Sequence, residues 1–138
     1  MIQTNPPDAI VATIVAPDRK LDTLPKVFGV RHMMRAESLA NAWMRRLCET
    51  YSGSDWDYYT TSNDGFFMVP QVGEKLRLSW AMTEGELSAE AAGIAACMYA
   101  WQQLCNETEI DAHIELYYAL RDFAKEHAES SLIMGLTD

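Results

Sequence analysis

The chain has 138 residues and a mass of 15.6 kDa; 49% of its residues are apolar and 22% are charged. This is the size of one domain with one core, and the apolar fraction excludes a chain that is disordered throughout. Seven glycines and five prolines are too few for a collagen-like or low-complexity protein. We therefore predict a single domain over residues 1–138, with flexible ends at residues 1–8 and 129–138.

Twenty acidic and eleven basic residues give a net charge of −9, and this charge is unevenly distributed. Residues 1–46 have a net charge of +3, whereas residues 47–138 have a net charge of −12. The overall sign disfavours binding to nucleic acid or to an anionic membrane surface. A DNA mimic is an alternative, but one turn of duplex carries roughly 20 charges over about 34 Å. We favour the interpretation that the excess acid keeps the protein soluble.

The cysteine pattern and the start of the chain indicate a cellular compartment. Cys48, Cys97 and Cys105 are odd in number and form no CxxC pair, which is typical of a reducing compartment. The first residues lack the basic and apolar segments of a signal peptide. The uncharged run at residues 91–101 is too short to span a bilayer. We expect a cytoplasmic protein.

The N-terminal third predicts one strand and two helical segments. The β-branched and apolar residues 9–16 predict a strand. Pro17 and Pro25 bracket a segment long enough for one or two helical turns, and Gly29 ends it. Residues 31–49 place apolar side chains at three- and four-residue steps, which predicts an amphipathic helix.

The middle of the chain predicts a meander of three strands. Residues 56–61 and 66–69 predict a hairpin around Ser62-Asn63-Asp64-Gly65, because Asn and Gly tolerate positive φ. The alternation from Leu76 to Ala81 predicts the third strand. Residues 83–87 are predicted to be a loop.

The last third predicts two helices. Ser88 is expected to cap a helix that ends near Asn106 and lies centrally, because it is apolar almost all round. Thr108 is expected to cap a second helix that ends near Ala128. Strands clustered before helices predict an α+β fold. Its small antiparallel sheet, the three-strand meander plus the N-terminal strand, is expected to pack with three or more helices.

The residue pattern contains no constellation typical of a catalytic or metal site. His32, His113 and His127 lack the short paired spacing of zinc ligands. The chain has no Gly-x-Ser-x-Gly elbow and no glycine-rich phosphate loop. Its cysteines have the pattern of buried, inert thiols. We therefore predict a protein that is not an enzyme, with no catalytic residues, no cofactor and no metal.

Two features predict contact with a partner. One is a basic helix face, which is either a surface for an anion or acidic partner or a solvated face whose arginines pair with nearby acids. The other is the aromatic hairpin, of which one part is core and the other a protein-contact patch. The candidate contact residues are Arg31, His32, Arg35, Arg45, Arg46, Trp56, Asp57 and Tyr59.

Residues 24–70 also carry a series of unusual blocks. These are Phe28-Gly29, Arg31-His32-Met33, Glu37, Ala42-Trp43-Met44, Leu47, Tyr51, Gly53, Trp56-Asp57-Tyr58-Tyr59, Ser62-Asn63, Gly65-Phe66, Met68 and Pro70. They resemble the signature of the plasmid and phage antirestriction family of the ArdB and KlcA type. Asp64 and Thr60-Thr61 depart from that signature, within the hairpin.

The resemblance implies a single-domain α+β protein without a cofactor, which relieves type I restriction–modification of incoming DNA. It implies an inhibitor rather than an enzyme, and it supplies no catalytic residues. We expect protein–protein interaction without catalysis, with the type I enzyme or an accessory host protein as partner. We expect no stable DNA binding, no membrane contact, and a monomer or weak homodimer. The alternative is an acidic DNA mimic that occupies the DNA-binding channel of the restriction enzyme.

Overall fold

The computed structural model describes residues 9–138, so the predicted flexible segment at residues 1–8 lies outside the described residues. The α+β fold class is confirmed. The strands are β1 Ala12–Ile14, β2 Trp56–Thr61, β3 Phe66–Pro70, β4 Leu76–Trp80 and β5 Thr83–Leu87. The α-helices are α1 Lys20–Phe28, α2 Met33–Leu47, α3 Ala89–Thr108, α4 Asp111–Glu126 and α5 Ser130–Thr137.

Strands β1, β2 and β3 form an antiparallel sheet with β2 in the centre. The predicted hairpin between β2 and β3 is confirmed. Asp64 has a φ of 68° in its turn, and the amide of Gly65 donates to the Thr61 hydroxyl at 2.8 Å. The Asn63 amide also donates to the carbonyl of Ala119 in α4, at 3.0 Å. The turn residues therefore fix the hairpin locally and anchor it to the helical layer.

Helices cover both faces of this sheet. On one face, Tyr58 donates to Glu37 of α2 at 3.1 Å, and the indole N–H of Trp56 donates to Asn41 of α2. On the other face, the Phe67 ring stacks on Phe123 of α4 with a centroid separation of 5.5 Å. Because successive strand residues point to opposite faces, the aromatic hairpin supplies the core on both sides of the sheet.

Helix α3 lies against the free edge of β3, close enough to contact its backbone. The indole of Trp101 donates to the Phe66 carbonyl at 2.8 Å, and the Met68 amide donates to the Cys97 sulfur at 3.4 Å. A Cβ on Gly93 would lie 2.2 Å from the Met68 carbonyl oxygen, so only glycine fits there. The buried polar groups of this strand edge are thus bonded by helix side chains instead of by another strand.

The capping prediction for α3 is confirmed. The Ser88 hydroxyl accepts from the amide of Ala91 at 3.1 Å, which satisfies one of the free amides of the first helical turn. Six of the eleven buried residues of α3 are alanine or glycine, and these small residues allow the close approach to β3. Within residues 9–138, no helix is both long enough and apolar enough to cross a membrane.

Residues 76–87 correct the predicted sheet. Strand β4 does not join the meander but pairs with β5 in a separate two-stranded sheet, so residues 83–87 form a strand and not a loop. The physical reason is that α3 already occupies the free edge of β3. Strand β5 lacks apolar alternation because Gly85 is its central inward residue, where a Cβ would lie 2.5 Å from Leu132 of α5.

The end of the chain corrects two further predictions. Thr108 ends α3 instead of capping the next helix, because Glu109 turns the chain with a φ of 56° and α4 begins at Asp111. Residues 129–138, predicted as a flexible end, contain helix α5. Ile133 and Leu136 of α5 are fully buried, since apolar residues recur there at helical spacing.

The contact between α3 and β3 predicts a strong effect of one added methyl group. Gly93→Ala forces the helix away from the strand, and we expect the free energy of unfolding to fall by about 1–3 kcal/mol in urea denaturation. Gly73→Ala is the matched control, because an added Cβ there meets no atom within 4 Å. Equal stability of the two variants would contradict this close packing.

Candidate protein-contact surface

The basic residues that the sequence predicts as contacts lie on α2 and the turn before it. Helix α2 buries a stripe of apolar side chains, so the positions between them face solvent. Arg31, Arg35, Arg45 and Arg46 are exposed, whereas the ring of His32 is half-buried. The five side chains have different neighbours, and these neighbours divide them into separate groups.

Arg35 holds two helices together. Its guanidinium donates to both carboxylate oxygens of Glu107 on α3, at 2.9 and 2.6 Å. The hydrogen bonds from Arg35 and Gln103 hold the pKa of Glu107 at about 2, well below its ordinary value. A solvated face was expected to pair its arginines with nearby acids, whereas this acid is 72 residues away and lies on another helix. The guanidinium of Arg35 is therefore already engaged within the molecule.

His32 packs against a second histidine, and Arg31 stands free beside it. The rings of His32 and His113 meet edge to face with centroids 5.2 Å apart. Buried His113 donates from Nε2 to the Phe28 carbonyl at 3.1 Å, and its Nδ1 lies 2.8 Å from the Thr108 hydroxyl. These bonds make His113 a link from α4 to α1 and α3. Arg31 has no ion pair among residues 9–138.

Arg45 and Arg46 lie at the end of α2 over aromatic rings. The guanidinium of Arg45 is 5.8 Å from the centre of the Tyr51 ring and 3.4 Å from the Ser52 carbonyl. That of Arg46 is 4.8 Å from the centre of the Trp43 ring. In the described part of the chain neither arginine has a carboxylate within ion-pair distance. Their charges are available to a partner.

Trp43 belongs to a cluster of three aromatic rings, which we call the aromatic platform: Trp43 of α2, Trp80 of β4 and Tyr99 of α3. Trp43 and Tyr99 stack at 4.4 Å and 10°, and Trp80 meets them at 5.2 and 5.7 Å. The Trp43 indole donates to Gln103 at 2.9 Å, and the Tyr99 hydroxyl donates to the Leu136 carbonyl of α5. The platform is thus held in place by contacts among α2, β4, α3 and α5.

The turn between β4 and β5 exposes apolar surface at the margin of the platform. Trp80 is 37% exposed, and Met82, two residues later, is 100% exposed. Ala81 between them has a φ of 54°, which tightens the two-residue turn. Arg46 lies over Trp43 and Met82 follows Trp80 by two residues, so we group them with the platform as one candidate surface of aromatic, arginine and methionine side chains. Such residues are enriched in protein–protein interfaces.

Sequence reasoning missed Trp80, Met82 and Tyr99 as candidates. Alternation along β4 places Trp80 on the inward side, and helical spacing places Tyr99 on a helix that is apolar almost all round. The one available signal was the pair of large apolar side chains flanking a turn residue, Trp80-Ala81-Met82. Their convergence with Trp43 depends on the packing of β4 against α2 and α3.

The second predicted contact feature, the edge of the aromatic hairpin, exposes less surface than the basic helix face does. Trp56 is only 6% exposed and lies on the α2 side of the sheet. Asp57 and Tyr59 point to the opposite face, where Asp57 accepts from Gln71 at 2.8 Å and Tyr59 stacks on Phe67 at 5.1 Å. The structure therefore does not bring these three residues together on one surface.

Two of the three thiols, Cys48 and Cys97, are buried, whereas Cys105 is partly exposed. Burial raises the pKa of the Cys97 thiol to about 12, and its sulfur lies against the backbone of Met68. Cys48 is buried beside Thr50. Over residues 9–138, no three histidine, cysteine or acidic side chains group together in a way that could hold a metal ion. The surface described above is therefore the best-supported site in this part of the chain.

Comparison with known proteins gives concordant matches. A family model described as antirestriction protein matches residues 49–138. The antirestriction protein KlcA of Escherichia coli is 44% identical over 135 residues, covering 94% of this chain and 95% of that protein. A second KlcA of Escherichia coli is also 44% identical, over 140 residues and 96% of each chain.

One solved structure is similar over its whole length, with a TM-score of 0.88, 43% identity and 100% coverage of both chains. It is described as showing, for the KlcA and ArdB proteins, a novel fold and antirestriction activity against type I DNA restriction systems in vivo but not in vitro.

The ion pair between Arg35 and Glu107 predicts a pH-dependent signature. The Glu107 carboxylate stabilises the fold above its ordinary pKa of 4.5, and this contribution is lost as the pH falls through about 2. In NMR titration, Arg35→Ala should move the Glu107 pKa up towards 4.5. Arg77→Ala, which removes the partner of Glu84, is the control and should leave Glu107 unchanged. An unmoved Glu107 in the Arg35 variant would contradict the assigned pair.

Proposed function

Because the chain belongs to the antirestriction family of the KlcA and ArdB type, we propose that it relieves type I restriction–modification of incoming DNA. It acts by contact with a protein partner and without catalysis of its own. That partner is the restriction enzyme or an accessory host protein of the cytoplasm. The surface formed by the aromatic platform, Arg46 and Met82 is the observation that carries this proposal.

The need for a cellular partner is supported by the relatives. The KlcA and ArdB proteins are described as active in vivo but not in vitro. A protein that simply occupied the DNA channel of the enzyme would also act on purified enzyme, because occupancy needs no third component. Activity confined to cells favours a mechanism in which another cell component takes part. For this chain, that component is either the partner itself or a factor that brings the partner into contact with it.

The composition of the surface supports a protein rather than a nucleic acid as that partner. Tryptophan, tyrosine and arginine supply most of the binding energy at protein interfaces, especially where they are rigid and surrounded by water-excluding contacts. The stacking of Trp43 on Tyr99 pre-orders the platform, so little side-chain entropy is lost on binding. The partner is expected to place a carboxylate opposite Arg46 and an apolar group over Trp80 and Met82.

The DNA mimic is kept as a second candidate because of one feature of α4. Asp111, Glu115, Asp122 and Glu126 are exposed and, at spacings of four and seven residues, form one acidic stripe. The stripe spans about 22 Å of helix. Duplex DNA carries roughly 13 charges over that length, more than three times as many. The stripe therefore resembles a solvated helix face more closely than a strand of phosphates.

Two single substitutions test the contact surface in cells that carry a type I system. Arg46→Glu and Met82→Asp change exposed side chains, so the fold should be retained. Loss of an interface anchor costs about 2 kcal/mol, or roughly 30-fold in affinity. We expect restriction of incoming phage or plasmid DNA, measured as plating or transformation efficiency, to return largely to the level without the protein.

Matched controls separate this contact from charge or solubility effects. Lys125→Glu makes the same charge change on α4, and Leu21→Asp makes the same polarity change at a leucine that is 92% exposed. Both should keep full antirestriction. Full activity of the Arg46 and Met82 variants would exclude this surface. Loss of activity in Glu115→Gln combined with Asp122→Asn would instead favour the DNA mimic.

A further inference from the structure

Strand β1 forms one edge of the three-stranded sheet, and its outer side has no strand beside it among residues 9–138. The Val15 amide donates to the Tyr58 carbonyl, and the Ser62 amide donates to the Val11 carbonyl. Because inward and outward groups alternate along an antiparallel strand, the N–H and C=O groups of Ala12 and Ile14 point away from β2. Within residues 9–138 these groups have no hydrogen-bond partner, so they form a short row of backbone donors and acceptors at the edge.

Strand β1 is short, but its side chains include none of the charges or prolines that natural proteins use to prevent strand pairing. Residues 11–15, Val-Ala-Thr-Ile-Val, contain no charge, proline or glycine, and Val11 and Ile14 are each 52% exposed. In the other sheet, by contrast, β4 and β5 carry exposed Arg77, Glu84 and Glu86. The β1 edge is therefore suited to accept another strand.

We propose that the occupant is β1 of a second copy of this chain, paired antiparallel about a twofold axis at Thr13. In this register Ala12 lies opposite Ile14 of the partner subunit, and their outward backbone groups bond to one another. Thr13 lies opposite Thr13 of the partner subunit. The sequence is nearly symmetric about this residue, so Val11 lies opposite Val15 of the partner subunit. Pairs of β-branched residues and Thr–Thr pairs are favourable in this position.

Charge favours a second copy over a charged partner at this edge. The strand is neutral, and the open groove of about 720 Å³ beside it is flanked by two acids, Asp18 and Asp22, and two bases, Arg19 and Lys26. A molecule with a net charge of −9 repels its own copies over most of its surface. Here the local charges balance, and the groove leaves room for side chains from the partner's strand.

The expected association is reversible. One strand pair and its groove wall bury less than the roughly 1,200 Å² of a standard stable interface. Monomer and dimer should therefore exchange, and the dimer should form as the concentration is raised. The resulting sheet is continuous across both copies, and the pairing involves no residue of the platform.

Thr13 offers a sharp test because it is exposed and lies on the proposed axis. By analytical ultracentrifugation the wild type should shift from monomer towards dimer between about 10 μM and about 1 mM. Thr13→Lys and Thr13→Asp should each remain monomeric, since each places like charges opposite one another. An equal mixture of the two should form a heterodimer. Ser79→Lys, the same added charge on exposed β4, should associate like the wild type.

Hydrogen exchange on the wild type tests the register without any variant. The amides of Ala12 and Ile14 should exchange several-fold more slowly at high concentration, whereas those of Thr13 and Val15, already bonded to β2, should change less. A wild type that remains monomeric at the highest concentration overturns the proposal. Association that persists in Thr13→Lys, or a mixture that stays monomeric, also overturns it.

Discussion

The contact of α3 with the edge of β3 is the constraint on which the rest of the structure depends. The Trp101 indole and the Cys97 sulfur bond the backbone of β3, and Gly93 lets the helix approach it directly. Because this edge is covered, the chain after β3 cannot extend the sheet and must pair with itself as β4 and β5. One helix thus decides both where the sheet ends and where the second hairpin lies.

The same helix sets the geometry of the contact surface. It presents Tyr99 and Gln103 to Trp43 of α2, while the hydroxyl of Tyr99 is held by the carbonyl of Leu136 in α5. Strand β4 then adds Trp80 from the side. The rings therefore occupy fixed positions before any partner arrives, as is expected of residues that anchor an interface. Helix α3 therefore both covers the edge of the sheet and holds the rings of the proposed contact surface in place.

Features governed by local rules could be predicted from the sequence. The turn at residues 62–65, the Ser88 cap and the amphipathic stripe of α2 follow from neighbouring residues, and the structure has all three. The pairing of β4 with β5 could not be predicted, because it depends on a strand edge being covered by a helix distant in sequence. Helix α5 was missed because its burial depends on packing against α3 and α4.

The candidate surface, too, could be predicted from the sequence only in part. The exposed arginines were found from their helical positions, but the roles of Arg35 and Arg46 are set by Glu107 and by the platform, which tertiary packing brings to them. Trp56 looked like part of an exposed aromatic edge because alternation alone cannot tell which sheet face is covered. Both faces are covered here, and the exposed large aromatic side chains are Trp80 on β4 and Tyr118 on α4 instead.

Relief of restriction through a protein contact at the platform is tested most directly by photo-crosslinking in living cells. A photoreactive amino acid at Met82 should give an adduct with a restriction subunit or host protein, and adding Arg46→Glu should abolish that adduct. The same probe at Glu115, on the acidic stripe of α4, should give none. An adduct from Glu115 to the DNA-binding subunit of the restriction enzyme, with none from Met82, would contradict the proposed contact.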